Sequence, residues 1–469
     1  MSKKKQNCKK YLENGYKALE NDSYFNTLRA INLFNKAEKR LSSNDPKNLL
    51  IKIGKNTANI KRHKINDCKN DYLKYINSNP NNISLILAYA QFCENISNIN
   101  EAKLMYSKSL IFSKSPLIYL NILRNDETIK DLDFLKEIKM DKLNKEDKVY
   151  VYYILAKLYE RNENYKKSWI NYYKYNMSRY NLPISKLMLD TYRKSFKNIR
   201  DLVNLPNFPK KQIDNDVPLV FIVGFHKSGI NLVNKIINEH KNIYSMDNIS
   251  PDFTKVKLDD DDNKEQKLTL GIGKKEEKPV RDDTEMYYKL FDELYYDMKN
   301  IYNDSDIKSS NAIKYFSIAC SEMYMYLGVI SSIFKNVKII SCERNFNDMG
   351  ISVYKGHYQN KNMNWSSDLS EIVNYYKFYK DNMDFWKIPS NIIKKIKYED
   401  LVNNFDKITN EIQEFLQLEK QDLSFFNQSR IKTTTEDNIS INKKIYNTSI
   451  DKWKNYEKYI SELITYDGV

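Results

Sequence analysis

Small and aromatic residues recur at fixed intervals along the first part of the chain. Ala18, Ala30, Phe34 and Ala37 are separated by twelve, four and three positions. The same spacing returns at Ala90, Ala102, Tyr106 and Ser109, at Ala156, Ser168, Tyr172 and Tyr175, and in part at Cys68, Tyr72 and Tyr75. Small residues let two antiparallel helices approach closely, and an aromatic residue one turn later fills the gap to the next pair. The pattern therefore predicts stacked helix pairs.

The length of one unit is indicated by Pro46 and Pro80, which lie 34 residues apart at the ends of successive units. This period resembles that of the tetratricopeptide repeat. Unrelated amphipathic helices can produce such spacings by chance, and they are the alternative interpretation. Repeats of this kind bind peptides or proteins and do no chemistry, so a peptide or protein partner is expected on the helical part of the chain.

The pattern changes at about residue 200. The segment 201–216 holds two prolines and predicts a linker, and Val217–Val223 is a continuous apolar run typical of a buried parallel strand. Helical periodicity follows from Leu232 to Ile237. Further helices are predicted over about 283–301, 318–334 and 368–386, and further strands over 337–341 and 392–397. This alternation predicts an α/β layer with a short parallel sheet.

The predicted fold class is therefore α followed by α/β. We expect an N-terminal α-helical solenoid of tetratricopeptide-like repeats over residues 1–200, a linker over 201–216 and a P-loop-like α/β domain over 217–469. Within the α/β domain, residues 258–282 are charged and low in complexity, with runs of aspartate, glutamate and lysine. Such a composition indicates an insertion that is not part of the sheet.

The chain carries a formal net charge of +15, which favours anionic ligands such as a nucleotide. A solvated lysine-rich surface explains the same charge, and the sequence contains no RNA- or DNA-binding motif, so no nucleic-acid partner is expected. The five cysteines and four histidines have no metal or redox spacing, which predicts free thiols, a reducing compartment and no metal site. With no signal peptide and no apolar run long enough to span a bilayer, we expect a cytoplasmic protein.

A loop with two glycines, Gly224–Leu232, lies between the predicted strand and helix. At such a junction the backbone N–H groups point into the turn and the helix N-terminus adds positive potential, so the loop suits an anion. Gly224 and Gly229 allow close approach of the backbone. Lys227 adds a positive charge and Ser228 a hydroxyl donor. A Walker A loop ends in Gly-Lys-Ser/Thr, which is absent here, so Mg²⁺-dependent ATP hydrolysis is not favoured. An ordinary glycine turn is the alternative.

The loop resembles the 5′-phosphosulfate loop of sulfotransferases, whose usual form is Pro-Lys/Arg-Ser-Gly-Thr-Thr. Those enzymes carry a second signature on the next core strand, an Arg at the strand end and a Ser eight residues later. Arg344 and Ser352 stand at that interval, and Asp348 occupies its customary place between them. Residues 445–457 look like the closing segment of the repeat-containing sulfotransferases. The motifs in this order make the chain similar to that subgroup, whose relatives include protein-tyrosine sulfotransferases.

The resemblance implies transfer of a sulfuryl group from 3′-phosphoadenylyl sulfate to a hydroxyl acceptor, such as a peptide tyrosine or a glycan, with 3′-phosphoadenosine 5′-phosphate as the product and no metal ion. The nucleotide is expected to bind to Gly224, Lys227, Ser228, Gly229, Ile230, Asn231, Leu232, Arg344 and Ser352. Lys227 is also a catalytic candidate, because it can neutralise charge on the departing bridge oxygen. His226 is a second catalytic candidate or, alternatively, a partly exposed spacer.

Three departures from the family pattern weaken the expectation of turnover. The paired threonines of the loop are replaced by Ile230 and Asn231. The family's proton-accepting Glu is replaced by Asn248, so the adjacent Asp247 is the candidate base or a loop-capping residue. The segment Ser317–Ser321 lacks the lysine that relatives carry. Two alternatives to an active sulfotransferase follow, a catalytically weakened nucleotide-binding repeat scaffold and a P-loop kinase or NTPase.

Overall fold

The computed structural model describes residues 3–19, 24–41, 47–62, 64–96, 98–246, 284–305, 313–358, 361–424 and 449–467. Asp247, Asn248 and the insertion predicted over 258–282 lie outside these residues. The N-terminal helices are Lys3–Leu19 (α1), Tyr24–Glu38 (α2), Lys47–Lys61 (α3), Ile65–Ser78 (α4), Ile83–Asn95 (α5), Ile99–Ser109 (α6), Pro116–Asn125 (α7), Lys145–Arg161 (α8), Tyr165–Arg179 (α9) and Leu182–Val203 (α10).

The later elements alternate between strands and helices. The strands are Leu219–Gly224 (β1), Ile243–Ser245 (β2), Tyr315–Ala319 (β3), Val337–Glu343 (β4) and Ile393–Lys397 (β5). The helices are Ile230–Ile237 (α11), Thr284–Asp304 (α12), Leu327–Ile333 (α13), Phe346–Tyr354 (α14), Leu369–Phe385 (α15), Tyr398–Asn403 (α16), Phe405–Phe415 (α17) and Ser461–Asp467 (α18). A helix-rich region followed by an α/β layer is the fold class that the sequence predicts.

The helices of the N-terminal part pack in consecutive pairs, among them α1 with α2, α5 with α6 and α8 with α9. The small residues of the repeat lie inside these pairs, and Ala30, Ala102 and Ser168 are fully buried. In the α8–α9 pair, Ser168 Oγ donates a hydrogen bond of 2.9 Å to the carbonyl oxygen of Ala156, so the two helix backbones meet at the small residues. The prediction of helix pairs is confirmed, while their assignment to the tetratricopeptide repeat stays a prediction.

The aromatic position of the repeat makes the same hydrogen bond in two pairs. Tyr106 Oη donates to Glu94 Oε2 at 2.8 Å, and Tyr172 Oη donates to Glu160 Oε2 at 2.9 Å, each across twelve residues. Burial and the neighbouring glutamate raise the pKa of both tyrosines, so each hydroxyl keeps its proton and acts as a donor. The sequence repeat therefore corresponds to a repeated structural contact.

In the described part of the chain, five parallel strands form one sheet in the order β2-β3-β1-β4-β5. Because β1 lies between β3 and β4, the connections that leave β1 and β4 diverge at this point, and the carboxyl ends of β1 and β4 form a topological switch point. Ligands of open parallel sheets bind at such a point. The loop Gly224–Leu232 follows β1, and Arg344 follows β4, so both lie at this edge.

The predicted helix over 318–334 is wrong in its first half. Tyr315–Ala319 forms the strand β3, Ser321–Tyr326 forms a 3-10 segment, and α-helix begins only at Leu327. The strand forms because it pairs with β1 in parallel, with Leu219 opposite Phe316, and four of its five residues are buried. The sequence pattern predicts neither β2 nor β3, since strands of three and five residues are too short to show a periodicity of their own.

The sheet is covered on both faces, as expected for parallel strands. On one face Val220 and Ile222 of β1 pack against α11 and α17. On the other face Phe221 and Val223 belong to a larger core that includes α12, α13 and α15 and continues into α8, α9 and α10 of the helical part. The helical part and the α/β part thus share one core. No helix of the described residues is long and apolar enough to cross a membrane.

The junction between the two parts is built by α9 and α10. The Trp169 ring stacks on Tyr354 at 4.9 Å and on Tyr459 at 5.3 Å between ring centroids. Asn176 Nδ2 donates to the carbonyl oxygen of Tyr354 at 2.9 Å. The helix α10 ends at Val203, inside the segment predicted as a linker. The last helix pair is therefore fixed against α14, which begins two residues after Arg344.

Candidate active site

The loop between β1 and α11 needs both of its glycines. Gly229 has φ +101°, in the left-handed region that favours glycine, and it caps the N-terminus of α11. A Cβ on Gly224 would lie 2.6 Å from the carbonyl oxygen of Cys342 on β4 and against Ser228 Oγ. Lys227 also has a positive φ, +66°. This backbone brings the loop close to β4 and turns it sharply into the helix.

Ser228 is buried within the loop and its hydroxyl has no partner among the described residues. A buried hydroxyl without a hydrogen bond is uncommon and indicates a missing ligand or water. The hydroxyl lies where the backbone of Gly224 approaches and where α11 begins, which is the position of an anion in a strand-to-helix loop. The residues of the loop therefore fit a phosphate group.

The remaining loop residues contribute in different ways. The Ile230 side chain is buried in the core under the sheet, and Leu232 packs against the same core, so both can face a ligand only with their backbone. Asn231 is half-buried in the first turn of α11. The loss of threonine hydroxyls at these positions leaves Ser228 as the buried hydroxyl of the loop.

Arg344 connects the loop to the closing segment. Its Nη1 donates to the carbonyl oxygen of Lys227 at 3.0 Å, and its Nη2 donates to the carbonyl oxygen of Ser449 at 2.7 Å. The guanidinium lies 4.5 Å from the centroid of the Tyr398 ring, and its Nε is buried without a hydrogen bond in the described structure. Arg344 thus lies beside the loop, with its Nε–H and one N–H of each Nη group not used by these two hydrogen bonds.

Asp348 and Ser352 lie on α14, but they make contacts within the protein. The Asp348 carboxylate accepts the backbone N–H of Asp451 at 2.8 Å and that of Trp453 at 3.1 Å, so it anchors the closing segment. Burial raises the pKa of Asp348. Ser352 Oγ donates to the carbonyl oxygen of Asp348 at 2.6 Å. The hydroxyl has a single O–H, so Ser352 can donate to a phosphate oxygen only when this hydrogen bond is broken.

Two lysines that the sequence analysis missed lie close to this helix. Lys355, three residues after Ser352, is buried against the Tyr456 ring, and Lys452 belongs to the closing segment. Burial lowers the pKa of both lysines, and that of Lys452 is lowered further by the charges of Lys355 and Arg344. The charge of Lys355 is compensated by Glu160, with which it forms an ion pair, and the same carboxylate acts to raise the pKa of Lys452. Lys355 and Lys452 are 97 positions apart in the sequence and come together only in the fold.

The second catalytic candidate of the loop, His226, faces the end of β3. Its Nε2 lies 3.7 Å from Glu322 Oε1, and its Nδ1 lies 3.5 Å from Ser321 Oγ. The Trp365 ring lies 5.5 Å from the imidazole between centroids. Burial acts to raise the pKa of Glu322, but the charge of His226 and hydrogen bonds to the carboxylate outweigh it and hold the pKa below its usual value. Glu322 was not predicted, because β3 was not.

The segment Ser317–Ser321, in which a lysine is expected from the resemblance, holds no lysine. Ser317 lies on β3, and its Oγ donates to Asn234 Oδ1 at 2.8 Å, so it supports α11. The strand ends at Ala319 and is followed by Cys320 and by Ser321 and Glu322 of the 3-10 segment. At this edge of the sheet a carboxylate and an imidazole replace the expected ammonium group.

A cavity of about 330 Å³ opens at the carboxyl ends of β4 and β5. Arg344 and Phe225 connect it to the loop, and α15 contributes Tyr376 and Lys380 to its wall. Two further lysines of β5, Lys395 and Lys397, also line it. The cavity therefore provides room for a ligand beside Arg344 on the β5 side of the switch point, and its wall also holds the carboxylates of Glu343, Asp384 and Glu399.

Residues 218–422 match the model of the "Sulfotransferase family". A protein of Aquifex aeolicus (strain VF5), named "Uncharacterized protein", is 23% identical over 399 residues, which are 82% of this chain and 50% of that protein. The chain thus spans about half the length of this relative.

Two solved structures were also compared. The "Sulfotransferase Domain from the Synechococcus PCC 7002 Olefin Synthase" has a TM-score of 0.35 at 15% identity, over 55% of this chain and 96% of that domain. The "Sulfotransferase Domain from the Curacin Biosynthetic Pathway" has a TM-score of 0.32 at 12% identity, over 55% of this chain and 98% of that domain. The loop, Arg344 and the sheet that holds them lie within residues 218–422, and this part of the chain matches the sulfotransferase family.

Proposed function

We propose that the protein transfers a sulfuryl group from 3′-phosphoadenylyl sulfate to a hydroxyl acceptor. The observation that carries this proposal is the buried Ser228 hydroxyl without a partner, inside a loop that Arg344 holds against the closing segment. The match of residues 218–422 to the sulfotransferase family supports the same reaction class.

In this proposal the 5′-phosphate of the donor binds to the loop after β1, and the 3′-phosphate binds beside Arg344 after β4. The loop residues Lys227 and Ser228, with the N-terminus of α11, hold the 5′-phosphate. Arg344 and Lys452, with Ser352, hold the 3′-phosphate, since Arg344 is bonded to Ser449 of the same segment that carries Lys452. A bisphosphorylated nucleotide fits better than a single phosphate, because it engages both groups of cations at once.

The donor supplies an activated sulfuryl group, and the protein has to position it and neutralise charge. Lys227 and the N–H groups of the loop stabilise the negative charge that develops on the departing phosphate oxygen. The rigid contact of Arg344 with the Lys227 carbonyl oxygen keeps the loop in one conformation, which favours in-line attack by the acceptor. The chain needs no covalent intermediate for this reaction.

The acceptor is proposed to be a hydroxyl on a peptide tyrosine or a glycan, recruited by the helical repeats. The repeats share a core with the α/β part and hold α9 and α10 against it, which would keep a bound partner at a constant distance from the loop. A catalytically weakened nucleotide-binding scaffold is the second candidate. The observation that favours it is the end of β3, where Ser317–Ser321 carries no lysine.

A ligand titration tests the proposed function. Purified protein is titrated with 3′-phosphoadenosine 5′-phosphate and separately with ATP and Mg²⁺, and thermal stability is followed. We expect the bisphosphate to stabilise the protein by about 2.7 kcal/mol at a hundredfold excess over Kd, and ATP with Mg²⁺ to do so less. Failure of the bisphosphate to stabilise the wild type would contradict the proposal.

Variants separate binding from folding in the same titration. Lys452→Gln and Arg344→Ala should each weaken the effect of the bisphosphate, and Lys452→Gln should do so without loss of the folded state. Arg193→Ala is the matched control, because Arg193 is exposed and pairs with Asp190 on α10, away from the loop. Transfer of ³⁵S from labelled donor then distinguishes an enzyme from a scaffold.

A further inference from the structure

Glu322 and His226 reach the same edge of the sheet from neighbouring strands. β1 pairs with β3 in parallel, with Ile222 opposite Ala319, and the Cys320 N–H donates to the Ile222 carbonyl oxygen at 3.1 Å. The two strands therefore end side by side. His226 is the second residue after β1, and Glu322 is the third after β3, so Glu322 contacts the residue that precedes Lys227 in the loop.

The contacts of Glu322 fix one of its oxygens more closely than the other. Oε2 accepts a hydrogen bond of 3.0 Å from Ser321 Oγ and one of 3.5 Å from Cys320 Sγ. Oε1 faces His226 Nε2 at 3.7 Å, and 45% of the side chain is accessible to solvent. A partly exposed carboxylate with one oxygen held by hydrogen bonds can receive a proton from a bound substrate.

A structural role alone does not explain why a glutamate, Glu322, lies beside the proposed anion-binding loop. A negative charge beside an anion-binding loop opposes binding of the anion, and local conflicts of this kind mark functional sites. Glu322 lies in the first turn of the 3-10 segment Ser321–Tyr326, where an acidic residue stabilises the turn. That role accounts for the charge, but it does not account for the contact with His226 of the loop.

We propose that Glu322 is the proton acceptor of the transfer reaction and that His226 positions it. This inference rests on the proposed function. The acceptor oxygen forms a bond to sulfur while the bond between sulfur and the bridging oxygen of the donor breaks, and that electron pair leaves on the phosphate. The proton of the acceptor hydroxyl passes to Glu322 Oε1. The charge balances, because the carboxylate is neutralised as the phosphate gains its charge.

The neighbours of Glu322 determine its protonation state. The groups that face it are His226 from the loop, Cys320 and Ser321 from the end of β3, Tyr192 from α10, and Tyr324 and Tyr326 from the 3-10 segment. Burial, with the charge of Glu322, raises the pKa of Tyr192 to about 12 and also raises that of Cys320, so both stay neutral near pH 7. The pKa of Glu322 is lowered, so the carboxylate carries no proton near pH 7, while its basicity is below that of an ordinary carboxylate.

The affinity of two glutamate variants for the nucleotide tests the position of Glu322, and this measurement needs no acceptor substrate. Glu322→Gln removes the negative charge beside the loop, so we expect it to bind 3′-phosphoadenosine 5′-phosphate a few-fold more tightly in a calorimetric titration. Glu137→Gln is the matched control, because Glu137 pairs with Lys114 on the surface of the helical part, and it should leave the affinity unchanged. If Glu322→Gln binds the bisphosphate equally or more weakly at an unchanged Tm, Glu322 does not face the anion and the inference fails.

Turnover tests the proton transfer. ³⁵S-labelled donor is offered with 4-nitrophenol and with a tyrosine-containing acidic peptide. Glu322→Gln should lower kcat by about 10²- to 10⁴-fold without raising the KM for the donor. His226→Asn should lower kcat less and move the acid limb of the pH profile upwards, because it removes the charge that lowers the pKa of Glu322.

The outcomes separate this inference from the proposed function. Wild-type binding of the bisphosphate together with a kcat of Glu322→Gln close to that of the wild type overturns the assignment of Glu322 and leaves the proposed function standing. Absence of bisphosphate binding by the wild type overturns both. If the wild type uses neither probe acceptor, the affinity of Glu322→Gln decides the position of the carboxylate.

Discussion

Lys355, the residue that follows α14, and Glu160 of α8 form an ion pair that joins the α/β part to the helical part. The two residues are 195 positions apart, and only 11% of the Lys355 side chain and 21% of the Glu160 side chain are accessible. Glu160 also accepts hydrogen bonds from Tyr172 and Tyr456, so one carboxylate connects a helix pair, the closing segment and the helix that follows Arg344.

Removal of one member of this pair should destabilise the protein. Lys355→Met leaves the largely buried Glu160 carboxylate with the more exposed Lys157, 3.6 Å away, as its ionic partner, and we expect a loss of about 3 kcal/mol in the free energy of unfolding. The double variant Lys355→Met, Glu160→Gln should recover much of the loss, because the charge of Glu160 is removed together with that of Lys355 and Lys157 is partly exposed. Chemical denaturation measures both. Lys114→Met, which breaks an exposed pair, is the control and should leave the midpoint unchanged. A loss in the double variant as large as that in Lys355→Met would contradict this account.

The same pair predicts an acid-sensitive stability. Burial acts to raise the pKa of Glu160, but the charges of Lys355 and Lys157 outweigh it and keep the pKa well below the usual range. The unfolded state therefore binds a proton at a higher pH than the folded state does. The stabilisation from the pair is complete above the ordinary carboxyl pKa and is lost as the pH falls below it. Glu160→Gln should show a shallower loss of stability between about pH 5 and pH 3, as measured by denaturation at each pH.

Ser228→Ala should separate stability from binding. The hydroxyl is buried without a partner, which costs the ligand-free protein about 1–3 kcal/mol, so its removal should leave the protein equally or more stable. The same change removes a donor to the 5′-phosphate, and the affinity for 3′-phosphoadenosine 5′-phosphate should fall about tenfold. Ser178→Ala on α9 is the control, since that hydroxyl bonds within its own exposed helix. Unchanged affinity in Ser228→Ala would show that the hydroxyl does not face the phosphate.

Gly224→Ala should damage the loop more than an equivalent change elsewhere. Its Cβ would lie 2.6 Å from the backbone carbonyl oxygen of Cys342, which cannot move without disturbing the pairing of β1 with β4. We expect a loss of about 1–3 kcal/mol in stability and weaker nucleotide binding. Gly350→Ala is the comparison, because its Cβ would meet only the flexible side chain of Leu463 within a helix. Equal thermal midpoints for the two variants would refute the close approach at Gly224.

Asp348→Ala should release the closing segment. The backbone N–H groups of Asp451 and Trp453 lose their common acceptor, which costs about 1–3 kcal/mol. Arg344 still holds Ser449, so we expect local release and not global unfolding. Limited proteolysis and the emission of Trp453 report on this change. Asp190→Ala on the exposed face of α10 is the control. Full protection of the segment in Asp348→Ala would contradict the anchoring role.

Much of the local structure could be predicted from the sequence. The repeat spacing predicts helix pairs, because small and aromatic residues at fixed intervals act within a pair of adjacent helices. The apolar run before Gly224 predicts a buried strand, and the glycines predict the turn after it. These signals are local, since each depends on residues within one or two helical turns or one strand.

The strands β2 and β3 could not be predicted in this way. Tyr315–Ala319 becomes a strand because β1 offers it a parallel partner, and the same pairing puts Glu322 next to His226. The candidate base of the sequence, Asp247, stays a prediction outside the described residues. The loop can therefore be recognised from its sequence motif. The residues that surround it in space, such as Glu322, depend on the order of the strands in the sheet.

By itself the sequence determined the helix pairs, the loop Gly224–Leu232 and the interval between Arg344 and Ser352, because each is a matter of spacing along the chain. Only the tertiary structure decided what these residues contact. In the folded protein Arg344 donates hydrogen bonds to the carbonyl oxygens of Lys227 and Ser449, and Lys355 forms an ion pair with Glu160. The physical reason is that hydrogen bonds and ion pairs depend on distances in space, and residues a hundred positions apart meet only after the sheet and the helix pairs have packed together.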